Sequence, residues 1–314
     1  MRNSVVTVFG GTGFIGRHLI NRLARQGCEI RVATRDRGSA SALQPMGNVG
    51  QIVPIVCDPR SEGSVRQLVA GATSVVNLVG ILFESRKGDF QALQAELPGM
   101  IGRAAAATGV RRVVQISAIG ADPDSASEYA RTKAAGEAAV RAAFPDATIL
   151  RPSVVFGPGD GFFTRFARMA TVSPVLPLVG GGHTRFQPVF VGDVADAIVA
   201  ALTREDAPGR TYELGGPRVQ SLRELLEWML KVLRRRRLLV TLPYGLASFQ
   251  ARFFELLPTP PLTRDQVELL KRDNVVSAGA LTLADLGVSA TPPEVIVPGY
   301  LRPFARWKTT APVS

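Results

Sequence analysis

The chain has few of the residues that build metal sites and disulfide frameworks. Its 314 residues include two cysteines, Cys28 and Cys57, and two histidines, His18 and His183. Two cysteines without metal-ligand neighbours predict small buried side chains in a reducing compartment, and so few histidines lead us to predict no metal. The chain also lacks an apolar run of about 18 residues, so we expect neither a membrane span nor a cleaved signal.

Acidic residues are also in short supply. The chain has 26 Asp and Glu against 37 Lys and Arg, which gives a net charge of +11. Such an excess predicts an acidic partner. Part of it is concentrated in one run, which consists of Arg234, Arg235, Arg236 and Arg237. Because no aromatic residues alternate with these arginines, we predict no nucleic-acid partner.

An apolar and aromatic segment, residues 238–257, follows the four arginines. A basic run beside such a segment predicts attachment to an anionic bilayer or to a partner's hydrophobic groove. The electrostatic part is worth about 4 kcal/mol at most, so a protein partner must provide most of the anchoring. The open alternative is that the phenylalanines close a core and the arginines are solvated.

The N-terminal stretch carries the strongest local pattern. β-favouring residues 5–9 are followed by Gly10, Gly13 and Gly16, and then by apolar residues at helical spacing. This order predicts a strand, a tight turn and a helix whose free N–H groups, at Phe14 and Ile15, bind the diphosphate of a dinucleotide. The alternative is a tight turn without a ligand.

Strands and helices then alternate along the chain. Further strands are predicted at 29–35, 52–56, 74–80 and 112–117, and a sixth strand continues into the stretch 151–160; helices are predicted at 64–70, 90–108 and 129–143. The pattern predicts an α/β fold with a Rossmann-type, doubly wound parallel sheet, whose ligands collect at the carboxyl ends of the strands.

Polar groups and turns stand at these strand ends. Arg35 ends the second strand, where a guanidinium suits the 2′-phosphate of NADP(H), although Asp36 follows it and Arg35 can also be a solvated strand end. Asp58 follows the third strand and is predicted to meet the adenine. The remaining predicted cofactor-binding residues lie at the ends of the fourth to sixth strands: Leu78, Val79, Gly80, Ser117 and Pro152.

Tyr129 and Lys133 open a predicted helix and lie one turn apart. Residues at i and i+4 share a helix face, so the phenol and the ammonium address one site. A phenol that acts as an acid or base at neutral pH needs nearby positive charge, which Lys133 and an oxidised nicotinamide can supply. Otherwise, both residues hold the nicotinamide ribose without chemistry.

As a set, these motifs resemble the extended or atypical branch of the short-chain dehydrogenase/reductase superfamily. The resemblance rests on the glycines at 10, 13 and 16, on Tyr129 and Lys133, and on the stretches 151–160 and 187–195. It implies an NAD(P)-binding domain over 1–156 with a return segment at about 187–214. The remainder, 157–186 and 215–314, is predicted to form a smaller C-terminal lobe and an extended tail.

A narrower resemblance is to the family of NADPH-binding accessory subunits of respiratory complex I and their bacterial relatives. It rests on Arg17 and on the stretches 45–51, 77–80, 143–147 and 262–268. The resemblance implies NADPH held as a fixed ligand without turnover. It also implies other complex I subunits as partners, near the junction of the hydrophilic and membrane arms, and a peripheral location on the cytoplasmic face of the bacterial inner membrane.

One departure bears on catalysis. The superfamily places a Ser or Thr after the fifth strand to hold a substrate carbonyl, and here the strand continues as Ser117-Ala118. Either Ser117 fills that position or the position is Ala118 and the hydroxyl is missing. Without the donor, developing negative charge would lose about 3 kcal/mol of stabilisation. An NADP-dependent reductase or epimerase and an NADP-sensing regulator therefore remain as alternatives.

The C-terminal third gives weaker signals. Residues 180–185 predict a surface hairpin, the alternative being a loop in which His183 and Arg185 bind a substrate. Helices are predicted at 193–202 and 221–233, the second with a capping box from Ser221 and Glu224. From Pro258 the proline-rich tail predicts an extended arm around another subunit, although it can also pack on its own domain.

Overall fold

The computed structural model describes Met1 and residues 4–306. Its strands are β1 (Val5–Phe9), β2 (Glu29–Thr34), β3 (Ile52–Val56), β4 (Ser74–Asn77), β5 (Arg112–Ile116), β6 (Thr148–Pro152), β7 (Val155–Phe156), β8 (Val175–Val179), β9 (Arg185–Phe186), β10 (Val189–Phe190), β11 (Thr211–Leu214), β12 (Gln220–Ser221) and β13 (Leu238–Leu242).

The α-helices are α1 (Phe14–Arg25), α2 (Arg37–Ser41), α3 (Glu62–Val69), α4 (Leu97–Thr108), α5 (Glu128–Ala143), α6 (Phe163–Val172), α7 (Val191–Thr203), α8 (Leu222–Val232), α9 (Tyr244–Phe254), α10 (Arg264–Leu269) and α11 (Pro293–Leu301). Short 3-10 turns lie at Gln44–Met46, Gly180–Gly182, Ala284–Leu286 and Arg302–Phe304, and a π-helical turn at Gln91–Glu96 leads into α4.

Seven strands form one sheet in the order β11-β6-β5-β4-β1-β2-β3. Every pairing in it is parallel, with Val6 on β1 opposite Ile30 on β2 and Ser74 on β4. The predicted Rossmann-type sheet is therefore confirmed. Because the strands are parallel, their carboxyl ends share one edge, and the strand order reverses beside β1, where such sheets bind ligands.

Helices cover both faces of the sheet. On one face α1 and α7 contribute Leu19, Leu23 and Ile198 to a core with the strands. On the other face, α3 and α4 contribute residues such as Leu68 and Ile101. All four residues of β4 are buried, as expected of a strand covered on both sides. A separate core joins α6, β8, α8 and α11.

Several predicted element ends are confirmed. Gly109 ends α4 in a left-handed conformation, and Ser221 and Glu224 form the capping box at α8. The fourth strand, predicted to reach Gly80, ends at Asn77, because the Asn77 side chain turns the chain by accepting a hydrogen bond from Val79 N at 3.1 Å.

The surface hairpin predicted at 180–185 is wrong. Strands β8 and β9 flank this stretch but pair with β13 and β12, not with each other. Gly180, Gly181 and Gly182 form a 3-10 turn, and all three have positive φ. A Cβ on Gly180 would overlap the Tyr244 ring, so the turn is packed under α9 and is not a free loop. Arg185 forms an ion pair with Asp273.

The extended arm predicted from Pro258 is also wrong for residues 258–306, which pack on their own chain. Val267 and Val297 are fully buried, and Leu281 forms a bridge to Tyr212 on β11. Helices α10 and α11 are short, with six and nine residues, and tertiary contacts bury Val267 on the first and Val297 and Leu301 on the second. The remainder of the tail, 307–314, lies outside the described residues.

In the described part of the chain, no helix is both long and apolar enough to cross a membrane. No group of three or more His, Cys, Asp or Glu side chains in the same part is arranged to hold a metal ion. Cys28 and Cys57 are buried as free thiols, as predicted.

Candidate functional site

The turn after β1 is shaped for close backbone contact. Gly10 has φ +75°, and a Cβ there would lie 3.0 Å from the Leu78 carbonyl carbon. A Cβ on Gly16 would lie 2.4 Å from the Gly11 carbonyl oxygen, so only glycine lets α1 start this close to the turn. The first turn of α1 has neither a side-chain cap nor an acidic residue. Its N–H groups are thus available to an anion.

The ends of β2 and β3 are each followed by a charged residue, a basic one after β2 and an acidic one after β3. Arg35 follows β2 and its side chain is exposed, which leaves the guanidinium accessible to a phosphate. Asp58 follows β3, is exposed, and accepts a hydrogen bond from Arg60 N at 3.0 Å through Oδ1. Both residues lie at the same sheet edge as Gly10, at the end predicted for the adenosine half.

Helix α5 places Lys133 at the same edge of the sheet, where the strands have their carboxyl ends. Its ammonium is buried and lies 3.5 Å from the Val79 carbonyl and 3.4 Å from the Ile116 carbonyl. These bonds are long for N–H···O contacts, so the three donors of Nζ are not fully used. A Cβ on Gly80 would lie 3.1 Å from Nζ. Burial lowers the pKa of Lys133 to about 8, and the nearby Glu137 carboxylate partly opposes this effect.

Tyr129 lies one helical turn before Lys133, whose Nζ is 5.9 Å from the centre of the phenol ring. Phe90 packs edge-on against the same ring. Burial raises the pKa of Tyr129 to about 12, and the Asp265 carboxylate adds to this effect. In this environment the phenol is a hydrogen-bond donor at neutral pH, and phenolate formation is disfavoured.

Ser117 follows β5 and is anchored by its own N–H, which donates to the Leu150 carbonyl at 2.8 Å. Its hydroxyl is buried and has no hydrogen-bond partner among the described residues. A buried hydroxyl without a partner is costly unless a ligand completes it, which makes Ser117 a better candidate than Ala118 for the donor position. Pro152, at the end of β6, lies beside this loop, and its carbonyl accepts from Ile119 N.

Two residues of this region were not among the site residues predicted from the sequence. Gln94 lies on the π-helical turn, is buried, and has an Oε1 without a partner among the described residues. A Cβ on Gly80 would meet that oxygen at 3.8 Å. Asp265 belongs to a distant part of the chain and reaches the start of α5. Gln94 belongs to no spaced motif, and the stretch 262–268, which contains Asp265, gave no indication of a contact with α5, so the tertiary structure is needed to place both residues here.

These features fit a dinucleotide. A glycine turn whose Cβ positions are blocked, an uncapped helix N-terminus, a buried lysine with unused donors and an orphaned serine hydroxyl all meet at one sheet edge. Together they offer a site for a diphosphate at one end and for a group with several hydroxyls at the other.

Comparison with known proteins agrees with this geometry. Residues 6–215 match the model of the NAD dependent epimerase/dehydratase family, and the chain belongs to that family. Its site is accordingly one for a nicotinamide dinucleotide. Within the family, the chain is similar to "NADH dehydrogenase [ubiquinone] 1 alpha subcomplex subunit 9, mitochondrial" from Arabidopsis thaliana. The two are 40% identical over 294 residues, which cover 90% of this chain and 73% of the plant protein.

The rat protein of the same name is 37% identical and covers 93% of this chain and 78% of its own length. Among solved structures, the triphenylmethane reductase of Citrobacter sp. superposes with a TM-score of 0.75 at 20% identity, over 95% of this chain and 99% of that one. At this identity the superposition supports the fold alone.

Proposed function

We propose that the chain is an accessory subunit of a respiratory NADH:ubiquinone oxidoreductase, bound at the cytoplasmic face of the bacterial inner membrane near the junction of the hydrophilic and membrane arms. The extent of the similarity carries this proposal. The family model ends at residue 215, whereas the similarity to the plant and rat subunits covers 90% and 93% of the chain. The C-terminal lobe is therefore shared with these subunits.

Affinity purification of the tagged chain from detergent-solubilised membranes tests this proposal. We expect the quinone-reducing subunits to be recovered with it. Recovery of the chain alone, from the soluble fraction, would contradict the proposal and favour the NADP-dependent reductase or epimerase, or the NADP-sensing regulator.

We infer that the fixed ligand is NADPH. The diphosphate would lie on the N–H groups of Phe14 and Ile15 above Gly10, Gly13 and Gly16. The adenosine half would meet Arg35 and Asp58, and the nicotinamide half would meet Leu78, Val79, Gly80, Ser117, Tyr129, Lys133 and Pro152. A bound nicotinamide supplies hydride chemistry when a substrate reaches it. Here the protonated phenol of Tyr129 and the partly free donors of Lys133 support a holding role toward the ribose hydroxyls.

The exposed guanidinium of Arg35 provides a test of the NADPH assignment. We expect Arg35→Ala to weaken NADPH binding about tenfold and to leave NADH binding within about twofold, because a charge-assisted phosphate contact is worth about 1.5 kcal/mol. Isothermal titration of both dinucleotides measures the ratio. Arg66→Ala, at an exposed arginine on α3 outside the predicted site, is the matched control, and an equal loss for both dinucleotides would contradict the assignment.

We also infer that the chain contacts an anionic membrane surface through β13 and α9. The outer face of β13, of α9 and of the turn that follows α9 is called here the apolar face, and it exposes 48 to 82% of each of Leu238, Val240, Leu246, Phe249, Phe253, Leu256 and Leu257. Helix α9 instead turns Ala247 and Ala251 inward, both fully buried. Large apolar residues outside and small ones inside are the reverse of an ordinary surface helix and indicate a docking surface.

The arginine run beside the apolar face is only partly available. Arg235 Nε donates to the Phe304 carbonyl and Arg237 Nε to the Ala170 carbonyl, each at 2.8 Å. Arg236 is exposed. One guanidinium group near an anionic surface contributes about 1 kcal/mol, so most of the membrane affinity must come from the apolar residues.

Vesicle sedimentation tests the membrane contact. With vesicles of phosphatidylcholine and phosphatidylglycerol, we expect the double variant Phe249→Asp/Phe253→Asp to lose at least about tenfold in partitioning, because two exposed aromatic rings are replaced by charges. Val49→Asp makes the same kind of change at an exposed residue outside the apolar face and should have little effect. Equal partitioning of all three proteins would contradict the inference.

A further inference from the structure

The C-terminal segment 262–277, called here the crossing segment, passes over the ligand-binding edge of the sheet. Gln266 Nε2 donates to the Leu82 carbonyl in the loop after β4, and Asn274 Nδ2 donates to the Ile119 carbonyl in the loop after β5. Arg272 forms a 2.8 Å ion pair with Asp122. The crossing segment thus connects several loops that follow the central strands.

Asp265 makes the most specific of these contacts, at the N-terminus of α5. Its Oδ1 accepts from Glu128 N at 2.6 Å, and its Oδ2 accepts from Ser127 Oγ at 2.8 Å and from Tyr129 N at 3.3 Å. Ser127, the N-cap residue, accepts from Ala130 N. The first three N–H groups of α5 are therefore all bonded, two of them to a carboxylate from about 137 residues later in the chain.

We propose that Asp265 is a positioning residue of the dinucleotide site, and that through it the C-terminal lobe must be seated for the dinucleotide to bind tightly. The proposal rests on the dinucleotide-holding function proposed above. Asp265 acts through α5, which carries Tyr129 as its second residue and Lys133 one turn later.

Two physical effects support this role. A carboxylate at a helix N-terminus fixes the first turn, so the bonds to Glu128 and Tyr129 set where the phenol and the ammonium point. The second effect is electrostatic. The charged groups that face the phenol are the Asp265 carboxylate and, across the ring, the Lys133 ammonium. Burial and, to a smaller extent, the Asp265 carboxylate raise the pKa of the phenol, so the phenol remains a hydrogen-bond donor to a ribose hydroxyl well above neutral pH.

The crossing segment also ties α5 to the apolar face. Arg264, next to Asp265, donates through N and Nε to the two carboxylate oxygens of Glu255, at 2.7 and 2.9 Å. Glu255 is the C-cap residue of α9. Arg264 and Asp265 are neighbours in the chain, and they therefore connect α9 with α5. Binding linkage is reciprocal, so a dinucleotide that favours the seated segment also favours the docking surface.

Isothermal titration of NADPH into the full chain tests the proposal. We expect Asp265→Asn to weaken NADPH binding about tenfold, because the neutral amide loses the charge-assisted bonds to the two N–H groups. Asp285→Asn is the matched control: Asp285 also accepts a backbone N–H, from Thr282 at 2.7 Å, and does not belong to the crossing segment. We expect the control variant to bind as tightly as the native chain.

A second measurement separates positioning from mere support of the fold. In a spectroscopic pH titration, with Tyr129→Phe used to isolate the Tyr129 signal, Asp265→Asn should lower the pKa of Tyr129, because it removes a negative charge that raises it. Loosening of α5 would also lower this pKa, because burial is the larger cause of its elevation, so the shift counts for positioning only when the near-ultraviolet circular dichroism of Asp265→Asn matches that of the native chain. In the native chain, NADPH should also slow amide hydrogen exchange in residues 262–268.

The outcomes are distinct. If the native chain binds no nicotinamide dinucleotide, the dinucleotide-holding function fails and this proposal fails with it. If the native chain binds NADPH and Asp265→Asn binds equally well, only this proposal is overturned. Should Asp265→Asn fail to fold, hydrogen exchange in the native chain decides: slower exchange in 262–268 supports the proposal, and unchanged exchange overturns it.

Discussion

Gly16→Val is expected to abolish measurable dinucleotide binding, with a loss on the order of 100-fold or more. A Cβ at this position would lie 2.4 Å from the Gly11 carbonyl oxygen and 2.6 Å from that of Gly10. These are backbone atoms of the turn, so α1 must move away from β1. Its N–H groups then no longer point at the diphosphate position. Titration of NADPH, with circular dichroism to confirm folding, measures the effect.

Gly63→Ala is the matched control. Gly63 lies on the exposed face of α3, and a Cβ there would meet only the Ser61 hydroxyl at 3.9 Å. We expect it to leave dinucleotide binding unchanged and to stabilise the chain by about 0.4 to 1 kcal/mol, because alanine restricts the unfolded chain more than glycine does. If Gly16→Val binds NADPH as well as Gly63→Ala does, the dinucleotide is not held at this turn.

Lys133→Met is expected to stabilise the dinucleotide-free chain by about 2 to 3 kcal/mol at pH 7 and to weaken NADPH binding. Burial lowers the pKa of Lys133 from 10.5 to about 8, so folding at neutral pH forces a charged group into a site that disfavours it. Methionine fills a similar volume without the charge. Denaturant unfolding in the absence of dinucleotide measures the gain, and titration of NADPH measures the loss.

The pH dependence has a definite sign. Between pH 8 and 10.5 the unfolded chain binds more protons at Lys133 than the folded chain, so native stability should rise with pH through this window. The cost of burying the charge is fully present below pH 8 and is gone above 10.5. Lys133→Met should lack this rise. A parallel pH profile for the two proteins would show that the buried ammonium carries no such cost.

Local patterns were sufficient to predict the sheet and the glycine turn. The spacing of Gly10, Gly13 and Gly16, the i, i+4 pair of Tyr129 and Lys133 and the capping box at Ser221 are determined by neighbouring residues. The structure has all three in the predicted elements. The alternation of strands and helices likewise predicted the parallel sheet, because the central strands β1, β4 and β5 are short, mostly apolar runs that are almost wholly buried.

The incorrect predictions concern segments whose conformation is decided by distant contacts. The 3-10 turn at 180–182 is packed against Tyr244. The C-terminal segment is held by side chains such as Asn274, which bonds to Ser153 and Ile119. Gln94 and Asp265 were likewise not predicted as site residues, because contacts between distant parts of the chain place them there. Nothing in the sequence near residue 265 indicates that its carboxylate caps a helix that begins at residue 128.

The cap provided by Asp265 has a consequence for the order of events during synthesis. Domains generally fold from the N-terminus while the ribosome is still translating, and here the strands of the main sheet, through β11, precede the crossing segment in the chain. The glycine turn can therefore form well before α5 receives its carboxylate. A nascent chain should therefore acquire tight dinucleotide affinity only after residue 265 has emerged from the ribosome. Dinucleotide binding would then be a late step, which takes place once the C-terminal lobe that carries the docking surface has also been synthesised.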